Sequence, residues 1–197
     1  MTDPTTLDLG PQARTVARLA ERVSDEQLAA GTPCPQYTVR NLLGHVAGLA
    51  VAFRDAARKD LGATTDTSPD SSVPDLAPGW RSTLPKALDE LADAWRDPAA
   101  WTGETRAGGV PLPGAVAAAV AVDELVVHGW DLARSTGQEY EPDPAALEAA
   151  YGFLLAAAED PSSRAEIFGP IVPVPDDAPL LDRVIGLSGR DPGWTAL

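Results

Sequence analysis

The sequence predicts an all-α protein: a four-helix bundle followed by an additional C-terminal segment of helical and irregular structure. Three observations carry this expectation. Apolar residues recur at three- and four-residue steps over several long stretches, the spacing of a one-sided helix. Regular alternation of apolar and polar residues, the strand signal, is nearly absent. Proline and glycine gather mostly between the periodic stretches, where they punctuate rather than interrupt. Apolar stripes of this kind are buried most simply by packing helix on helix. The 197 residues are enough for one domain with a real core, and no repeat or composition break divides them, so residues 1–197 are expected to form a single domain.

The first stretch covers residues 9 to about 30, with Leu9, Ala13, Val16, Leu19 and Val23 on one face. Residues 31–37 form a connecting loop, in which Pro33 and Pro35 stop the helix and fix an extended path. Thr38 has the chemistry of an N-cap. The second helix then continues to about residue 61, with Val39, Leu42, Val46, Leu49 and Phe53 on its apolar arc. Arg40, Arg54 and Arg58 face the other way, and His45 sits on the border of the arc. Residues 62–79 are rich in Thr, Ser, Asp and Pro and read as a mobile, dispensable loop.

The third helix covers roughly residues 82–96, with Thr83 as its cap and Pro85 tolerated in the first turn. Leu84, Leu88, Leu91 and Trp95 form its inner stripe. Residues 97–113 carry glycines and prolines and have room for a short extended piece. The fourth helix, residues 114–136, is closed by Gly137 and is apolar nearly all round, which marks a helix buried on several sides. Asp143 caps a fifth helix that has Pro144 at its first position and runs to about residue 159. The run 167–175 has too many prolines for a central strand. Residues 177–188 are expected to form a last helix capped by Asp177. The apolar tail packs on the bundle or across a partner subunit, so a homodimer is among the expected assemblies.

Composition excludes several classes. A net charge of −14 without any Lys/Arg cluster argues against nucleic acid and against anionic membranes. No apolar run is long enough to span a bilayer. The N-terminus has neither a basic start nor an apolar core, so no secretory leader is expected. A single cysteine rules out an internal disulfide and fits a reducing compartment. A cytoplasmic location is expected.

The chain has two histidines, His45 and His128. His128 follows Glu124 by four positions, so the two project from one helix face about a turn apart. Glu124 alone would read as a partly exposed carboxylate, or as a partner of Arg134 or Arg106. His128 or His45 alone would read as a satisfied core histidine. Together they are three ligands on inner or bordering faces of two bundle helices, the protein share of a zinc site that keeps a position open. Asp131, three residues after His128, could orient the imidazole, or pair with Arg134 or Arg14. Trp130 points away from Glu124 and reads as packing. Cys34 reads as a small packed residue; a reactive thiol or a fourth ligand is the alternative.

Two segments also resemble a known family. Thr32-Pro33-Cys34-Pro35-x-Tyr37-Thr38-Val39-x-x-Leu42-Leu43-x-His45-Val46 is similar to the start of the DinB-like bundles, and more narrowly of the metal-binding domain of mycothiol-dependent maleylpyruvate isomerases. Asp123-Glu124-Leu125-x-Val127-His128-x-Trp130-Asp131-Leu132-Ala133 is similar to that family's second motif. The resemblance implies a divalent ion, usually zinc, held by His45, Glu124 and His128. It implies mycothiol as the low-molecular-weight thiol. Those isomerases carry a further C-terminal domain with a catalytic arginine, for which the residues after Phe168 are too few. The expectation is therefore a divalent-metal-binding bundle. It would act as a thiol-dependent S-transferase or isomerase on a small electrophile. A non-catalytic structural or sensing module and a metal-dependent hydrolase are the alternatives.

Overall fold

The computed structural model describes residues 7–68, 73–160, 164 and 168–196. Its helices are α1 (Gly10–Glu21), α2 (Val39–Arg58), a single turn α3 (Ala63–Asp66), α4 (Trp80–Trp95), α5 (Gly114–Thr136), α6 (Pro144–Ala158) and α7 (Leu180–Leu187). A two-stranded antiparallel hairpin, β1 (Glu104–Ala107) and β2 (Val110–Pro113), precedes α5.

The bundle consists of α1, α2, α4 and α5. Around its axis α1 touches α4, α4 touches α2, α2 touches α5, and α5 closes the ring on α1. The predicted stripes line the interior: Val16, Leu42, Leu88, Trp95 and Val126 are all buried. Their burial is the dominant favourable term in such a fold. α6 packs on the outer side of α5, and α7 packs on α6.

Local chemistry sets the boundaries. Thr38 closes a capping box: its hydroxyl accepts the Asn41 amide while the Asn41 side chain accepts the Thr38 amide. α2 stops at Arg58, short of the expected residue 61, because Lys59 turns into the left-handed region at φ 60°. Its ammonium then donates to the carbonyls of Ala100 and Thr102. α5 ends on Gly137 as predicted, and the Asp143 side chain accepts the Ala146 amide at the start of α6.

Several expectations are corrected. α1 ends at Glu21, and residues Glu26–Ala29 form a separate 3-10 turn. The break falls at Ser24 and Asp25, whose side chains favour caps and turns over helix interior. α4 starts at Trp80 after Gly79, without Thr83 as cap, so Pro85 lies in the second turn. α7 starts at Leu180 behind Pro179, with no side-chain cap from Asp177. The short extended piece for which residues 97–113 had room is present, as a hairpin turned by Gly108 and Gly109 at φ 59° and 81°, the backbone a tight two-residue turn needs.

The connection after α2 is not a free loop in its described part. Thr65 and Leu76 are buried, and the carbonyl of Thr65 accepts the Gly109 amide at 2.8 Å. Asn41 donates to the Pro74 carbonyl at 2.8 Å. Gly44 lets this segment approach, since a Cβ there would lie 2.7 Å from the Asp75 carbonyl oxygen. Two buried side chains and these hydrogen bonds dock a segment that composition alone marks as solvated. The stretch 69–72 lies outside the described residues.

Candidate metal centre

α2 and α5 lie side by side, and their contact brings the two motifs together. The capping box at Thr38 fixes where α2 begins, and so fixes the rotational phase that turns His45 toward α5. On α5 the four-residue spacing places Glu124 below His128 on the same face. Glu124 Oε2 lies 2.9 Å from His128 Nε2 and 3.7 Å from His45 Nε2. One donor atom from each of the three residues falls within 4.8 Å of the other two. The imidazole rings meet edge to face with centroids 4.8 Å apart, and the Tyr37 ring lies tilted 5.5 Å from that of His45.

These spacings suit one cation. Donors held ~2.0–2.2 Å from a tetrahedral zinc stand roughly 3.4 Å apart, and the two Glu124–histidine separations, 2.9 and 3.7 Å, lie on either side of that value. Two imidazoles and a carboxylate also match the donor chemistry of zinc. The same contacts shape the titration of the donors. Burial drives the His128 pKa down, but its hydrogen bonds with Asp131 and Glu124 and their charges outweigh this and raise it to about 9. Burial likewise pushes Glu124 up, and the hydrogen bonds and charges of His128 and His45 hold it well below the usual carboxylate range. A cation coordinated at His128 Nε2 would displace the proton that these carboxylates favour on the ring.

Asp131 is wholly buried. Its Oδ2 lies 2.9 Å from His128 Nδ1, which leaves Nε2 turned toward Glu124. Its other partner is neither Arg134 nor Arg14 but Arg190, whose Nε donates at 2.8 Å to Oδ1 and 3.0 Å to Oδ2. Arg134 instead donates to the Pro192 carbonyl and stacks on Trp130, and Arg106 pairs with Asp66. Asp123, next to Glu124, is buried with Oδ1 unpartnered, and burial raises its pKa well above the ordinary aspartate value.

Cys34 is not one of the gathered donors; its sulfur is 3.8 Å from Gln36 Oε1. Burial pushes its thiol pKa up, although Arg190 opposes the shift. On the far side of α5, Gln12 donates to the Leu125 carbonyl and to the Tyr140 hydroxyl, which donates in turn to the Val126 carbonyl at 2.7 Å. A cavity of about 10 Å³ lies against Glu124, lined by Val46, Phe53, Leu91 and Leu125. It has room for about one water.

Fold and geometry define a class: a helical bundle with two imidazoles and a carboxylate turned to one point between neighbouring helices. Residues 9–133 match the family described as mycothiol maleylpyruvate isomerase N-terminal domain, and the chain belongs to that family. Two uncharacterised proteins from two strains of Mycobacterium tuberculosis are 27% identical over 183 residues, covering 88% of this chain and 91% of theirs. A crystal structure of the mycothiol-dependent maleylpyruvate isomerase has the same DinB-like fold, with a TM-score of 0.52 at 16% identity over 73% of this chain. A histidine-to-alanine variant of that enzyme gives 0.51 at 15% identity. The match covers 65% of the isomerase chain, so this chain spans less than two thirds of that protein.

Sequence reasoning missed Arg190. It lies 59 positions from Asp131 in a glycine- and proline-rich segment with no periodicity to place it.

Proposed function

We propose that His45, Glu124 and His128 hold one divalent ion, zinc by preference, and that the bundle uses it in a thiol-dependent S-transfer or isomerisation of a small electrophile. The observation that carries this reading is the convergence of the three donors from α2 and α5 within 4.8 Å. When bound, the ion would lower the pKa of a coordinated thiol or water and so supply a nucleophile at neutral pH. The chain's own residues hold and orient. Asp131 fixes the His128 ring through Nδ1. Apolar side chains of α2, α4 and α5 line the space beside Glu124. Mycothiol is the thiol that family membership suggests. Cys34 is no substitute nucleophile, because burial favours its neutral thiol.

A metal-dependent hydrolase is the second reading, favoured by the water-sized cavity beside Glu124. No described helix is long and apolar enough to cross a membrane. A cytoplasmic location and a single domain over residues 1–197 are part of the proposal. The test is metal analysis of purified protein, then assays of thiol-plus-electrophile pairs with and without chelator. Chelator-sensitive turnover that needs thiol supports the first reading. Turnover without thiol supports the hydrolase, and a protein that takes up no divalent ion removes both.

A further inference from the structure

The described residues place a third element behind the two-helix donor group. Residues 188–192 follow α7 and run back to α5, where they are pinned twice: Arg190 reaches Asp131, and the Pro192 carbonyl accepts from Arg134. Only the first pin touches the donor group. Asp131 has no exposed side-chain surface and Arg190 is 15% exposed, so their pairing is shielded from solvent and salt. Nε donates across both carboxylate oxygens, 2.8 and 3.0 Å away, and Oδ2 is the atom facing His128 Nδ1. The single Nε–H is shared between the two oxygens, and this together with the His128 contact at Oδ2 holds the carboxylate plane toward the imidazole. The guanidinium charge also offsets the buried Asp131 carboxylate.

We propose that Arg190 is a positioning residue of the metal centre: through Asp131 it locks the His128 ring so that Nε2 faces the ion, making the C-terminal segment a working part of the site. Residue 190 lies outside the stretch 9–133 that matches the family. The inference rests on the metal-site reading above.

The experiment compares wild-type protein with Arg190→Gln and Arg134→Gln, each loaded with Co(II). Affinity is read by competition with a chromophoric chelator, and site geometry by the visible absorption of the bound ion. Arg134→Gln releases the same segment without touching Asp131 and controls for loosened packing. Arg190→Gln is expected to lose affinity by about 10- to 100-fold, the scale for outer-shell partners of a ligand histidine, and to change the cobalt spectrum. Arg134→Gln is expected to keep both. Equal losses in the two variants, or an unchanged Arg190→Gln, overturn the positioning role while leaving the metal site standing. A wild-type protein that binds no cobalt overturns both. If Arg190→Gln does not melt cooperatively, Asp131→Asn carries the test. It removes the charge that Arg190 holds at nearly constant shape, and undiminished affinity there overturns the proposal.

Discussion

Tyr140 occupies the space that a side chain at Gly129 would need: a Cβ built there lies 2.8 Å from the Tyr140 hydroxyl oxygen and 3.0 Å from its ring. The hydroxyl is itself tied to Gln12 and to the Val126 carbonyl, so it cannot simply step aside. Gly129→Ala should therefore destabilise the protein by about 1–3 kcal/mol, the range for overpacking a tight interior. Tyr140→Phe, which removes one buried hydroxyl and its partners, should cost about 1 kcal/mol. The double variant should recover little, since the ring still blocks the site. Denaturant melts of the three variants check this, and an alanine at position 129 without cost would contradict the rigidity of this contact.

His128→Ala and His45→Ala are each expected to abolish measurable zinc uptake in equilibrium dialysis while keeping a cooperative thermal melt. The bundle interior is filled by leucine, valine and alanine from four helices, and that apolar burial does not depend on the donors. Loss of the cooperative transition in either variant would assign the histidines to the fold instead.

Cys34→Ser should leave metal affinity unchanged, because the sulfur is not among the converging donors. With burial raising its pKa, Cys34 should also alkylate slowly at neutral pH compared with a free thiol. Fast alkylation in the folded protein would contradict that surrounding.

The connection between α2 and α4 should behave as part of the fold near its docked ends. Leu76→Ala removes a buried leucine and should cost about 2–5 kcal/mol. Gly44→Ala drives a Cβ into the Asp75 carbonyl and should raise protease sensitivity at residues 73–76. Melts and limited proteolysis read both, and two neutral substitutions would restore the expectation of a dispensable loop.

Asp8 supplies a pH-dependent contribution. Burial nudges its pKa up, but the Gly10 amide and Arg96 more than compensate, so the folded value lies below the ordinary one. The stabilisation is then present above the ordinary aspartate range and lost as pH falls through the folded value. Both partners are about half exposed, so solvent screening limits the effect to ~0.5 kcal/mol. Asp8→Asn should be less stable than wild type at neutral pH and equal to it in acid below both values. A difference that persists in acid would point to packing instead of charge.

What the sequence made legible follows from range. The stripes of α2, α4 and α5 are local patterns, and Glu124 and His128 sit on one helix, so their facing is fixed by spacing. His45 needed one further step, the pairing of two apolar arcs. Docking of Leu76 on α2 depended on Gly44, whose lack of a side chain matters only once the partner backbone is known. The Arg190–Asp131 contact had no local signal, and Asp131 had a nearer arginine in sequence, Arg134, that the fold sends to Pro192.

All three donors ride on α2 and α5, while α1 and α4 contribute none. An ion between them would act as a strut along one side of the bundle. The opposite side, α1 against α4, is held by apolar contact and by ion pairs at its ends, Asp8 with Arg96 and Asp25 with Arg81, and would keep its own breathing motions. Slowed amide exchange on metal loading should therefore be lopsided, strong along residues 39–58 and 114–136 and faint along 10–21. Connections can lengthen or shorten between α2 and α5 without disturbing the strut, so long as both helices keep their register.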